Sequence, residues 1–102
     1  MIINEQVKGV IEGSAFIALV SMNGDGTPHP IIAGKGAVDD DNVVFGIYKM
    51  EQTQKNIAAN ANVAVVACTF EGGKPAGYRL SGTACAKDKQ LVFTATKVEA
   101  LI

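Results

Sequence analysis

The sequence predicts a mainly β domain, a six-stranded antiparallel β-barrel with two short helices. Three observations lead to this prediction. Several short segments are rich in β-branched and apolar residues, clusters of Gly, Pro, Asn and Asp separate them, and only two segments space their apolar residues as a helix does. With 102 residues the chain forms one domain over 1–102, because two cores would each be too small.

The first predicted elements are a helix and a buried strand. Asn4 is a typical N-cap residue, and Gly13 ends the helix where a left-handed residue is favoured. The apolar residues between them recur at helical spacing: Val7, Val10 and Ile11. Residues 15–22 are apolar except for Ser21, too continuously for a half-solvated strand, which indicates an interior strand.

A turn at 23–26 leads into the second predicted strand, residues 31–38. The turn sequence NGDG tolerates positive φ angles easily. In the strand, Gly34 and Gly36 are two residues apart and therefore share one face. A strip of backbone without side chains is a surface that a flat ligand or another chain can approach closely.

The remaining elements are four strands and a helix. The strands are predicted at 43–48, 63–70, 77–86 and 90–97, and the second helix at 49–60, with Met50, Ile57 and Ala61 facing inward. The acidic segment 39–42 is interpreted as a solvated turn and not a metal site. In the predicted hairpin, Phe70 lies near Gly77 and Cys68 near Arg79. Cys68 and Cys85 are predicted to be free thiols buried in strands.

Composition excludes several classes of function. The net charge of -1 gives no reason to expect a nucleic-acid or anionic-membrane partner. No segment is long enough to span a bilayer, and the N-terminus does not resemble a secretory signal, so a cytoplasmic protein is expected. Because aromatic residues are few, a dimer or a bound ligand would supply burial that the monomer lacks.

The start of the second helix is the most informative segment. Helix N-termini present free N–H groups and a partial positive charge, both suited to a phosphate. The Thr53 hydroxyl could donate a hydrogen bond there, and Lys49 could add a positive charge. On chemistry alone the alternative stays open that Thr53 merely caps the helix and that Lys49 is solvated.

The chain resembles the pyridoxamine 5'-phosphate oxidase-like FMN-binding split barrels over nearly its whole length. The matching segments, in order, are the opening helix, ALVS at 18–21, DGTP at 25–28, TQKNI at 53–57, NANV at 60–63, GYRLSGTA at 77–84 and TKVE at 96–99. The resemblance implies a split barrel, a two-fold homodimer, and FMN in a groove between subunits.

The resemblance also implies the positions of the cofactor-binding residues. The flavin ring is expected along Ile32, Ala33 and Gly34, near Ile47 and Tyr48. The phosphate is expected at the second helix, near Lys49, Gln52 and Thr53, and Arg79 is expected to reach the cofactor of the other subunit.

Several departures from the family pattern bear on function. Many relatives carry a basic residue where this chain has Gln52, and Glu51 adds a negative charge beside it, so FMN affinity is lowered unless Lys49 or Lys55 compensates. The helical insertion before the last strand and the C-terminal extension of true pyridoxamine phosphate oxidases are missing, so oxidation of pyridoxamine phosphate is not expected. His29, the one histidine, is interpreted as a surface residue, and no catalytic residue is assigned.

Two functions follow. The first is an FMN-binding redox protein, either an electron carrier or a minimal flavin-dependent reductase, since the flavin itself carries the chemistry. The second is a binding module without catalytic activity whose groove takes another nucleotide, haem or a deazaflavin. A purely structural dimer has no specific support in the sequence.

Overall fold

The fold was analysed in a computed structural model that describes residues 1–47 and 49–102. It confirms the mainly β prediction, with two helices and one antiparallel sheet of seven strands over these residues. The elements are α1 (Glu5–Gly13), β1 (Ile17–Met22), β2 (Pro28–Gly34), β3 (Ala37–Asp39), β4 (Asn42–Gly46), α2 (Glu51–Ala59), β5 (Asn62–Glu71), β6 (Lys74–Lys87) and β7 (Gln90–Ala100).

The sheet curls around one apolar core. Its strand order is β2-β1-β5-β6-β7-β4-β3, and β2 also lies against β4. The large apolar side chains of the strands that lose all exposure come from β1, β4, β5, β6 and β7: Ile17, Leu19, Val43, Phe45, Val65, Leu80, Leu91 and Phe93. The two helices pack on different strands, α1 mainly on β5 and β3, and α2 on β1 and β6.

The count of seven strands differs from the predicted six because the second predicted strand is broken. Gly34 has φ +80, which ends β2, and β3 begins at Ala37. A Cβ on Gly36 would lie 2.8 Å from Val43 Cγ1 and 3.1 Å from Ile17 Cδ1, so side chains of the core already occupy that space. A Cβ on Gly34 would meet nothing within 4 Å. The expected two-glycine strip is therefore wrong, and only Gly34 offers open backbone.

Helix α1 begins as predicted and ends differently. The Asn4 side chain accepts a hydrogen bond from Val7 N at 2.9 Å, and the predicted apolar residues are buried. Gly13 remains helical, and the C-cap is Ser14 with φ -74, so the left-handed ending is wrong. The Ser14 hydroxyl lies 2.6 Å from Val10 O and 3.0 Å from Cys68 O. This hydroxyl joins the end of α1 to β5.

The β5–β6 hairpin has a different register from the predicted one. Cys68 pairs with Gly77 and Phe70 with Pro75, because the connection is the tight turn Gly72–Gly73, where both φ angles are positive. Cys68 and Cys85 are free, as predicted, but both are exposed, so their predicted burial is wrong. Over residues 1–47 and 49–102, neither helix is long and apolar enough to cross a membrane.

Candidate functional site

The first turn of α2 has backbone donors that no side chain of residues 1–47 and 49–102 caps. The helix begins after Met50, the N-cap residue, which makes no side-chain cap hydrogen bond. The first helical bond runs from Gln54 N to Met50 O at 2.9 Å. The N–H groups of the three preceding residues therefore have no acceptor within the helix. Such donors, together with the helix dipole, favour an anion at this end.

Thr53 lies in this turn with its side chain buried. The residue is 1% exposed, and its Oγ1 has no hydrogen-bond partner among the described residues. Thr53 is the third residue of α2 and does not occupy the N-cap position, which excludes the alternative that it caps the helix in that way. A buried hydroxyl without a partner costs about 1–3 kcal/mol. This hydroxyl is thus an unsatisfied group beside unsatisfied backbone donors.

The charges around this turn are mixed, with an excess of positive ones. Lys49, with φ 51, and Gln52 are exposed, and Glu51 places a carboxylate in the same turn. Ile47 is half-buried, and its N–H donates to Lys89 O at 3.0 Å, which ties the β6–β7 turn to this end of the barrel. A cavity of about 320 Å³ here is lined by Ile47, Gln54, Ala86, Lys87, Asp88 and Lys89. Lys49, Lys87 and Lys89 outnumber the two carboxylates, Glu51 and Asp88.

A buried polar network joins α2 to β1, and the sequence analysis missed it. Asn56 is 4% exposed; its Oδ1 accepts from Gln52 Nε2 at 2.8 Å. Its Nδ2 lies 3.1 Å from Ser21 Oγ and 2.9 Å from Asn23 Oδ1. The available signal was helical spacing, because Asn56 falls on the same face as Thr53 and beside buried Ile57.

A second cavity, of about 430 Å³, separates α2 from the β1–β2 turn. Its lining residues are mostly polar or small: Met22, Asn23, Gly24, Gly26, Lys55, Asn56, Ala59 and Asn60. Lys55 contributes the one formal charge of this lining. The turn is itself ordered by Asp25, which accepts hydrogen bonds from Thr27, and the hydroxyl bond from Thr27 lowers the pKa of the Asp25 carboxyl.

The three residues of β2 predicted to lie along the flavin ring do not share one face of the strand. Ile32 is 65% exposed and points outward, whereas Ala33 is buried on the inward face. Gly34 ends the strand with open backbone. Side-chain contact with a ligand on the outer face is therefore possible for Ile32, and Ala33 can contribute only its backbone.

Arg79 lies on the same outer face as Ile32, at the other end of one cross-strand row. The register pairs Ile32 with Ala18, Ala18 with Val66, and Val66 with Arg79. Three strand spacings put the ends of this row about 14 Å apart. Arg79 also pairs with Glu99 at 3.3 Å, and this hydrogen bond holds the pKa of the Glu99 carboxyl below its ordinary value.

The predicted site residues thus fall into three groups. Ile47, Lys49, Gln52 and Thr53 lie together at the start of α2, the three ring residues lie on β2, and Arg79 lies on β6. Tyr48 lies outside the described residues. Among residues 1–47 and 49–102 no group of three or more His, Cys, Asp or Glu side chains could hold a metal ion.

Comparison with protein families assigns the chain to one of them. The model of the pyridoxamine 5'-phosphate oxidase family matches residues 3–98. The chain belongs to this family. The resemblance inferred from the ordered motifs is therefore confirmed. A search of curated proteins finds no match to the sequence.

Several solved structures share the fold of this chain. HupZ from Group A Streptococcus has a TM-score of 0.78 at 16% identity, over 96% of this chain and 93% of that chain. An FMN-binding protein from Syntrophomonas wolfei has a TM-score of 0.79 at 12% identity, over 96% and 85%. An F420 reductase has a TM-score of 0.73 at 16% identity, over 90% and 94%. At these identities the likeness concerns the fold alone.

Proposed function

We propose that this chain is a flavin-binding redox protein that holds FMN in a groove between two copies. It would act as an electron carrier or as a minimal flavin-dependent reductase. The observation that carries the proposal is the buried Thr53 hydroxyl, which has no partner among the described residues and lies beside the uncapped N–H groups of α2. A ligand with phosphate oxygens would satisfy both.

The phosphate end would be held by groups of α2. The N–H groups of the first turn and Thr53 Oγ1 would donate to phosphate oxygens, and Lys49 and Lys55 would supply charge. Because Thr53 is 1% exposed, the phosphate must enter beside the first turn to reach its hydroxyl. When bound, the flavin supplies the redox chemistry, and the residues of the chain bind and orient it.

The ring end would lie on the outer face of β2. Ile32 offers an exposed apolar side chain to a flat aromatic ring, and Gly34 offers backbone that no neighbour obstructs. Arg79 of the same chain is about 14 Å away along the row, which is too far for direct contact with a ring on Ile32. Contact from Arg79 would therefore come from a second copy.

The outer face supports the proposed dimer. Three large apolar side chains in or next to β1, β2 and β5 are strongly exposed: Phe16 at 71%, Ile32 at 65% and Phe70 at 73%. On the same strands, the outward residues Ala18, Val20, Ala64 and Val66 are small or apolar. Apolar areas of this kind on a small protein mark interaction surfaces. A second copy on this face would bury them and close the groove.

The alternative is a module that binds another flat ligand. The Glu51 carboxylate in the first turn of α2 opposes a phosphate, which weakens the case for FMN. One structure of the same fold is an F420 reductase, which makes a deazaflavin the first alternative to test. Haem and other nucleotides are the next ligands to test.

The absorbance spectrum of the purified protein, followed by titration with FMN, tests the proposal. We expect saturable uptake of one FMN per chain. Light scattering is expected to show that the protein is a dimer. Uptake of F420 or haem without FMN uptake would support the alternative ligand. A colourless monomer that binds none of them would reject both functions.

A further inference from the structure

A chain of hydrogen bonds connects the start of α2 to the tip of the β1–β2 turn. It runs from the Gln52 amide through Asn56 to Asn23 and Ser21. Asn23 Nδ2 then donates to Thr27 Oγ1 at 3.1 Å, and Thr27 Oγ1 donates to Asp25 at 2.6 Å. Its centre is buried, since Ser21 is 0% exposed and Asn56 4%.

Asn56 is the one residue through which both arms of this network pass. Its oxygen accepts from α2, and its nitrogen faces acceptors on β1 and on the turn. Rotation of this single amide would break all three contacts, and a buried amide without partners is costly. The orientation of Asn56 therefore fixes the orientation of Gln52 and of Asn23 together.

The two ends of the network lead to the two halves of the proposed flavin site. Gln52 belongs to the turn of α2 that would face the phosphate, and the β1–β2 turn leads directly into β2, which carries Ile32. Asn56 itself would touch neither the ring nor the phosphate, because its side-chain amide is already bonded to Gln52, Ser21 and Asn23.

We propose that Asn56 is a positioning residue that holds the Gln52 amide and the β1–β2 turn in place for a flavin phosphate monoester. This inference rests on the proposed function. Gln52 is exposed, and a long exposed side chain that loses its anchor gains rotamer freedom, which a ligand must then remove. The loss of this Gln52 anchor acts at the phosphate end of the ligand.

The affinities of FMN and riboflavin, measured by fluorescence titration, separate positioning from general damage to the fold. Riboflavin lacks the phosphate, so the FMN-to-riboflavin affinity ratio reports on the phosphate end. In Asn56→Ala we expect this ratio to fall about three- to tenfold, the range of one hydrogen bond. The matched control is Asn42→Ala, which removes the 2.7 Å hydrogen bond that the Asn42 side chain accepts from Thr94 Oγ1. Asn42 lies at the start of β4, the end remote from α2, so this variant should leave the ratio unchanged.

A folded Asn56→Ala protein with an unchanged ratio, or with equal losses for both flavins, would overturn the inference. If Asn56→Ala does not fold, Asn23→Ala is used in its place. This variant removes the hydrogen bond between Asn56 and the β1–β2 turn at a half-buried residue. Because this arm leads to β2, which would carry the ring, faster amide hydrogen exchange at 24–27 and weaker binding of both flavins are then expected. Unchanged exchange and unchanged affinities for both flavins in Asn23→Ala would overturn the inference.

Failure of the proposed function gives a different result. A wild-type protein that binds neither flavin rejects the flavin site, and hydrogen exchange then tests the network by itself. Faster exchange at 24–27 and at the first turn of α2 in Asn56→Ala, but not in Asn42→Ala, would support the positioning role of Asn56. Equal exchange in both variants would overturn it.

Discussion

The two helices have the same length but differ in their N-caps and in the polarity of the residues they bury. Each has nine residues, an acidic residue in its first turn and no basic residue in its last. Helix α1 is capped by Asn4 and buries only apolar residues, namely Val7, Val10 and Ile11. Helix α2 has no side-chain cap and buries two polar residues, Thr53 and Asn56, beside Ile57.

This difference separates a helix that completes the fold from one that has groups available to a ligand. The cap of α1 satisfies a donor that α2 leaves free, and its apolar face fills the core. The unsatisfied hydroxyl of α2 is a cost to the folded protein without a ligand. A ligand that accepts a hydrogen bond from this hydroxyl would remove the cost, which makes α2 the helix to test.

The largest expected effect is on stability, in α1. Ile11 is 0% exposed, so Ile11→Ala should lower the free energy of unfolding by about 2–5 kcal/mol through lost burial and a cavity. Urea denaturation measures this, with the exposed Ile2→Ala as control. The FMN-to-riboflavin affinity ratio should not change. A changed ratio would mean that α1 also serves the ligand.

In α2 we expect stability and binding to move in opposite directions. Thr53→Val keeps the shape but removes the unpartnered hydroxyl, so the protein without ligand should gain about 1 kcal/mol. FMN affinity should fall about ten- to hundredfold because a hydrogen bond to a charged phosphate is lost. Denaturation and titration of the same samples measure both. Thr69→Val, beside α1, is the control, and unchanged FMN affinity in Thr53→Val would remove Thr53 from the site.

The cap of α1 should have a smaller effect. Asn4→Ala removes the bond to Val7 N and should cost about 1 kcal/mol of stability, with no change in flavin affinity. Thermal or urea denaturation is sufficient to detect it. Gln6→Ala, exposed in the same helix, should be near neutral. Equal losses in both variants would mean that the cap contributes little.

The smallest effect concerns charge at α2. Gln52→Lys adds a positive charge at the helix N-terminus and should tighten FMN binding about two- to fivefold. The gain should shrink as salt is raised, because exposed charges are screened. Weaker binding than in the wild type would place the phosphate elsewhere.

Local patterns were sufficient for several features. The cap at Asn4, the inward Val7, Val10 and Ile11, and the buried Met50 and Ile57 follow from spacing and side-chain chemistry within a few residues. The predicted second helix, 49–60, differs from Glu51–Ala59 by its ends only, which are always the least determined part. The predicted inward position of Ala61 is wrong, since this residue is exposed beyond the helix.

Features that depend on contacts between distant segments were not predictable in the same way. The register of the β5–β6 hairpin followed from the φ angles of Gly72 and Gly73, which several loop geometries could have satisfied. The exposure of Cys68 depended on which face of β5 turned outward, and both faces carry apolar residues. Local apolar patterns do not distinguish such faces.

The sequence by itself determined the fold class, the family and the free state of both thiols. Only the tertiary structure decided that Gly34 breaks a strand, that Ile32 and Arg79 share one outer face, and that Asn56 joins α2 to the β1–β2 turn. Spacing along the chain specifies helices and strands because their periodicities are local. Which buried polar groups meet, and which remain without a partner, depends on how strands far apart in sequence pack around one core.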